Sequence, residues 1–308
     1  MPLRKYDSAG GTGRVYNELP MHIFSLRFVH VLLFAVVVAS GQAGVLTPPP
    51  PDSAEDGQGG WRSTARVRNE FETGHVMLGR IVTTRPRWVL DAGAGFRHDE
   101  LGRFEVSCWN ASDFTHEDDD MRNPWFNEVD PMLTYGWTWR IADGWGLDSE
   151  ITYQWSELRG YKHAATTYRQ WIWTETLMTP WVDVYAFTWS VVHPYNAPAY
   201  RLGARKSIPL GGGWSLEPHL FVDAGPERWI RRRFGEWTDR PAHYRFGPDA
   251  LSVHLHIRYQ LGENVSLYAG IRQYDLIVNE IRRQTKARPG YIARRDLTYF
   301  AIGLDIRF

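Results

Sequence analysis

His254 and His256 stand two residues apart in the run SVHLHIRYQ, and the preceding apolar run, LEPHLFVDAG, supplies His219 and Asp223. Imidazoles and a carboxylate on adjoining segments are the donor types of a zinc site. Together with Ser215 or Ser252, the same histidines contain the nucleophile and base of an ester hydrolase. Neither chemistry has its specific pattern, because the chain contains no Gly-x-Ser-x-Gly and no His-Glu-x-x-His. The acidic run at 117–120 could attract divalent cations. Two basic groups, Arg228 with Arg231, Arg232 and Arg233, and Arg282, Arg283, Lys286, Arg288, Arg294 and Arg295, suit phosphates. Solvated loop charge is the commoner origin of such runs. The residues therefore predict no catalytic group, no metal site and no cofactor, and the histidines read as polar lining.

What positions them is a period of two, not 3.6. Leu251, Val253, Leu255, Ile257, Tyr259 and Leu261 share one face, while Ser252, His254, His256, Arg258 and Gln260 share the other. Val265, Leu267, Ala269 and Ile271 likewise oppose Arg272, and Trp214, Leu216, Leu220 and Val222 oppose Glu217, His219 and Asp223. Trp88, Leu90 and Phe96 alternate with Asp91 and Arg97; Leu133, Trp137 and Trp139 with Arg140; and Leu147, Ile151 and Tyr153 with Asp148 and Glu150. Less regular stretches near 70–82, 104–112, 168–178, 182–192 and 199–208, with the C-terminal run, bring the predicted strands to about twelve. Tight turns rich in Gly, Pro, Asp and Asn alternate with longer loops along the chain.

Composition removes other classes. One cysteine in 308 residues excludes a disulfide scaffold, and 35 Lys+Arg against 35 Asp+Glu excludes a strongly basic nucleic-acid binder. The longest apolar run, Phe28–Ala39, is too short for a membrane helix and has the length of a secretory h-region, with Gly41 and Ala43 suited to cleavage after it. Residues 1–43 are read as a signal peptide, with Met21 an alternative start. The Pro/Gly-rich stretch 44–64 is read as an extended leader, and 65–308 as the folded domain. No cysteine follows the h-region to carry a lipid.

Alternation alone does not say whether the apolar face meets a core or lipid. Strands of this length match the about 9 to 11 residues needed to cross a bilayer at a tilt. Ordinary globular strands average about five or six. Mid-strand charges are tolerable only on a face that meets water, since an arginine in the lipid midplane costs about 2–4 kcal/mol. The face carrying Asp91, Glu150, Glu217, Arg258 and Arg272 is therefore the inner one. Asp305 and Arg307 join it in the last run, LTYFAIGLDIRF, where Phe300, Ile302, Leu304, Ile306 and Phe308 form the opposite face.

This closing strand, ending on Phe308, resembles the outer-membrane β-barrel proteins of Gram-negative bacteria, whose last strand is read by the barrel-assembly machinery. The run from Thr179 to Gly225, through Pro180, Pro209, Leu210, Trp214, Ser215 and Leu216, resembles more specifically the TorF-like porin group. The fold expected is all-β, a transmembrane antiparallel up-and-down barrel with both termini on the short-turn, periplasmic side. The resemblance implies a channel for passive diffusion of small hydrophilic solutes or ions, in contact with outer-membrane lipids and lipopolysaccharide. The alternatives are a plugged structural or adhesive barrel and an outer-membrane lipid hydrolase.

Overall fold

Each long strand runs antiparallel to its neighbours, and the ladder returns to its start. A computed structural model describes residues 60–77, 80–113, 128–158, 167–193, 196–229, 246–277 and 296–308. Among these, the strands are β1 (Arg62–Glu72), β2 (His75–Met77), β3 (Arg80–Thr83), β4 (Arg87–His98), β5 (Gly102–Asp113), β6 (Glu128–Ala142), β7 (Trp145–Leu158) and β8 (Thr167–Met178). They continue as β9 (Asp183–His193), β10 (Ala197–Arg205), β11 (Ile208–Gly211), β12 (Trp214–Pro226), β13 (Phe246–Gln260), β14 (Val265–Leu276) and β15 (Asp296–Arg307). The order β10-β9-β8-β7-β6-β5-β4-β1-β15-β14-β13-β12 closes through β10–β12 pairing, which runs from Tyr200 opposite Ala224 to Arg205 opposite His219. The short β11 carries the β10 position onward along β12 beyond Lys206 and Ser207, so the wall has twelve positions.

Closure leaves the barrel wall no edge among the described residues, and the first and last described strands take part in it. The Ala65 amide donates to the Phe308 carbonyl at 3.1 Å, and the Phe308 amide donates to the Ala65 carbonyl at 2.8 Å. The terminal strand predicted from sequence therefore completes the ring against β1. Tight turns follow β4, β6, β8, β11 and β13, on the same end as residues 61 and 308; β5, β7, β9, β12 and β14 end at the other. The β6–β7 turn is Asp143–Gly144 between paired Ala142 and Trp145, and Gly144 has φ 74°. That left-handed conformation is the reason for a glycine in a two-residue hairpin turn.

The first strand differs from expectation. Instead of one strand near 70–82, β1 begins at Arg62, inside the stretch 44–64 read as leader, and β2 and β3 form a separate two-stranded hairpin. Most apolar residues beyond 70 belong to the hairpin, whereas β1 carries arginines and glutamates on one side and mostly small or polar residues on the other. The predicted signal peptide 1–43, the alternative start at Met21, the acidic run 117–120 and all of both basic loop groups except Arg228 lie outside the described residues.

Burial is inside out. Phe300, Ile302 and Val253 are 59, 57 and 44% exposed, whereas Ala301 and Asp305 are 3 and 6% exposed. Away from the loop end, charged and hydroxyl side chains fill much of the enclosed face, and large apolar ones cover most of the outer face. Around the turn end the outside carries an aromatic belt. Phe104 and Tyr135, Tyr135 and Trp137, and Trp137 and Trp139 have ring centroids 4.6, 4.9 and 4.9 Å apart, with Trp214 and Tyr259 at 4.6 Å further round. Such belts mark the interfaces of membrane barrels.

Close packing inside requires small residues beneath large ones. Tyr268 of β14 crosses β15 over Gly303 to reach β1, and a Cβ on Gly303 would collide with the Tyr268 hydroxyl. Gly303→Val is expected to destabilise the barrel by about 1–3 kcal/mol, the usual cost of overpacking. The folded, fast-migrating band on an electrophoretic gel should then convert to the unfolded band at a lower temperature than in the parent protein.

Candidate functional site

The site is the enclosed face. Every charged residue assigned to it from sequence falls on the inward register. Arg97 pairs with Arg103 across β4–β5, and Asp91 with Trp109. Arg140, Asp148 and Glu150 share the inward phase of β6 and β7 with Thr138, Gly136 and Thr152. On the other wall, Glu217 is opposite His256, His219 opposite His254, and Asp223 opposite Ala250. Arg258 is opposite Tyr268, Arg272 opposite His254 and Tyr299, and Asp305 and Arg307 lie opposite Arg68 and Arg66.

Charges brought out of bulk water require partners, and most of these have them. Arg258 grips Glu217 through Nε to Oε1 at 2.7 Å and Nη2 to Oε2 at 3.2 Å, and reaches Asp305 at 3.3 Å. Arg272 donates to Glu70 at 2.7 and 3.0 Å and to Glu72 at 3.1 Å. Glu70 also receives the Tyr268 hydroxyl at 2.6 Å and Arg68 at 2.7 Å. Nearer the turn end, Arg66 binds Asp91 at 2.5 Å and Glu105 at 2.9 Å, and Arg103 binds Asp148 at 2.7 and 2.9 Å and Glu150 at 2.9 Å, each along the wall between near-neighbour strands. Paired charge of this kind stiffens the wall and contributes little net field.

The histidine group is committed in the same way. His219 Nε2 and the Tyr185 hydroxyl are 2.7 Å apart, and Arg272 Nε donates to His256 Nε2 at 3.1 Å. Arginine can only donate, so that histidine nitrogen is an acceptor. The His254 ring lies between its neighbours, edge-on to His219 with centroids 5.4 Å apart and tilted against His256 at 5.9 Å. Asp223 is held by Arg201 through two contacts of 2.7 and 3.2 Å, and Arg201 lies 3.9 Å over the Phe221 ring. Among the described residues, no hydrogen bond joins these histidines to Ser215 or Ser252, and no group of three metal-ligating side chains forms.

Water access falls along the lumen. Near the turn end, Arg103 and Glu150 are 33 and 35% exposed, whereas Arg87 and Glu72 near the loop end are 0 and 2% exposed. An apolar cluster also occupies the loop end. Val191, Ala197, Ala199, Ala250, Tyr274, Leu276, Leu297 and Tyr299 converge there around Trp229, which leaves the wall just after β12. Val76 of the β2–β3 hairpin packs against it.

Sequence reading missed the inner residues of β1, namely Arg62, Arg66, Arg68, Glu70 and Glu72. It also missed Arg103, Glu105, Tyr185 and Arg201, and placed Tyr268 on the inward face without giving it a role. A usable signal was present in β1: Arg62, Thr64, Arg66, Arg68, Glu70 and Glu72 are polar at every second position. The absence of bulky apolar residues between most of them concealed it.

No protein-family model and no curated protein matches the chain. Among solved structures it is similar to the KdgM porin, with TM-score 0.43 and 8% identity, covering 80% of this chain and 99% of that one. It is also similar to the NanC porin, with TM-score 0.43 and 10% identity over 79 and 98% of the two chains. An outer membrane channel from Pseudomonas putida F1 has TM-score 0.44 and 9% identity over 84 and 99%. Likenesses this distant carry no argument, and the barrel is established by its own pairing.

The Arg201–Asp223 pair offers a test of the buried network. Arg201→Leu leaves a buried carboxylate uncompensated and should cost about 3–5 kcal/mol, whereas the double replacement with Asp223→Leu should cost distinctly less. Denaturant unfolding of the refolded protein in lipid vesicles measures both.

Proposed function

We propose that the protein is a porin-like channel of the Gram-negative outer membrane, passing small hydrophilic solutes or ions by diffusion and catalysing no reaction. The observation that carries this reading is the inside-out partition: a closed twelve-position wall with paired charges enclosed and bulky apolar side chains turned outward. A soluble protein with the same sheet would place those side chains the other way, because burying apolar surface drives its folding. The belt of aromatic rings at the turn end supports a membrane interface at that level. The short turns, with Trp61 and Phe308, then face the periplasm.

The lumen lining comprises the charged residues described above, and width together with charge placement governs passage. The C-terminal strand, with Phe300, Ile302, Leu304, Ile306 and Phe308 on its lipid side, is the segment offered to the assembly machinery. The resemblance of the run from Thr179 to Gly225 to the TorF-like porin group favours the same reading at a finer level. The outer-wall residues meet lipid, and the loops meet lipopolysaccharide.

One observation favours a second reading. The apolar cluster around Trp229 and Tyr274 narrows the loop end, as it would in a plugged structural barrel. Conductance of the refolded full chain in a planar bilayer separates the two. The channel reading expects discrete, stable current steps, and Tyr274→Ala, which removes a ring from the constriction, should raise the unit conductance. Silence in both proteins would favour the plug, and lipid ester hydrolysis without current would favour an enzyme.

A further inference from the structure

Five neighbouring wall strands, β15, β1, β4, β5 and β6, each place an arginine at the inward position nearest the turn end: Arg307, Arg62, Arg97, Arg103 and Arg140. Three of them are directly in register, Arg62 opposite Arg97 and Arg97 opposite Arg103. A fourth, Arg307, is opposite Arg66. Like charges facing each other across a strand pair oppose its formation, so folding gives no reason for this row.

Much of its charge is also uncancelled. Arg62 and Arg307 are 54 and 74% exposed, and the nearest carboxylate to Arg62 is that of Asp99 at 3.5 Å. Arg307 reaches Asp305 at 2.7 Å, but Asp305 is shared with Arg258. Arg97 and Arg140 are exposed. Neither makes an ion pair among the described residues. Only Arg103 is fully engaged, by Asp148 and Glu150. Elsewhere along the wall, arginines such as Arg258, Arg272 and Arg201 are tied to carboxylates.

We propose that this row is an anion-collecting collar at the short-turn mouth, which makes the passage favour small solutes bearing phosphate or carboxylate groups. Guanidinium groups bind both through paired N–H donors. A mouth lined by one sign of charge between low-dielectric walls concentrates ions of the opposite sign. The inference rests on the channel reading and deepens it by naming a solute class.

Two measurements on the full refolded chain test it, using the parent and the triple variant Arg62→Gln, Arg97→Gln, Arg140→Gln, which leaves the Arg103 and Arg307 ion pairs intact. In a planar bilayer under a potassium chloride gradient, the parent should prefer chloride, and the variant's chloride-to-potassium permeability ratio should fall by about three- to tenfold. By calorimetry, tripolyphosphate should bind the detergent-solubilised parent and lose most of its affinity for the variant. Conductance with no chloride preference, or with a preference the variant retains, overturns the collar. Absence of current together with arginine-dependent tripolyphosphate binding overturns the channel reading and leaves the anion site standing. Loss of neither current nor binding in the variant overturns the collar alone.

Discussion

Hydrocarbon offers no hydrogen-bond partner to a peptide group, so a sheet that crosses it must satisfy every strand from within and must have no edge. The β10–β12 pairing and the reciprocal bonds between Ala65 and Phe308 meet that requirement. Once the ring is closed, side-chain direction is fixed by the pleat, and each wall strand must be apolar on one side and compatible with water on the other. A one-residue slip would turn Arg258 and Arg272 into lipid and Leu255 and Ile271 into the lumen. The register is therefore strongly specified by the partition of the side chains themselves.

Putting charge inside creates a second requirement, because ions drawn away from bulk water need counter-ions. The lumen answers with bidentate arginine–carboxylate contacts that bridge neighbouring strands, and in places skip one, as Arg272, Tyr268 and Glu70 do across β15. These contacts hold the wall in shape from within, replacing the apolar core that a soluble domain would use. At the loop end the apolar group around Trp229 takes over that role, and the passage is at its driest there. The two ends consequently differ in character: one is wet and basic, the other tight and aromatic.

Much of this was legible in the sequence. Alternation in β4, β6, β7, β12, β13, β14 and β15 is visible because bulky apolar residues mark the lipid side at every second position, and Gly-, Pro- and Asp-rich turns mark their ends. The inner charges of those strands followed from the same phase. β1 was harder to see, since Ser63, Ala65 and Asn69 give its outer side little hydrophobic contrast, and the neighbouring hairpin imitates a strand. The pairing of Arg103 with Asp148 and Glu150, and of Arg201 with Asp223, depends on which strands become neighbours. Local sequence does not encode that, and it emerges only from ring closure.

The barrel's inside-out build depends on which side of each strand meets lipid. Single spin labels placed in a Cys108→Ser background at Val253, Leu255 and Ile257, and at Ser252, His254 and His256, report this directly for the protein refolded into lipid vesicles. Labels at the odd positions should collide with lipid-soluble oxygen, and labels at the even positions should be shielded from it, giving a period of two. The reverse pattern, or equal access at odd and even positions, would contradict a lipid-facing apolar wall.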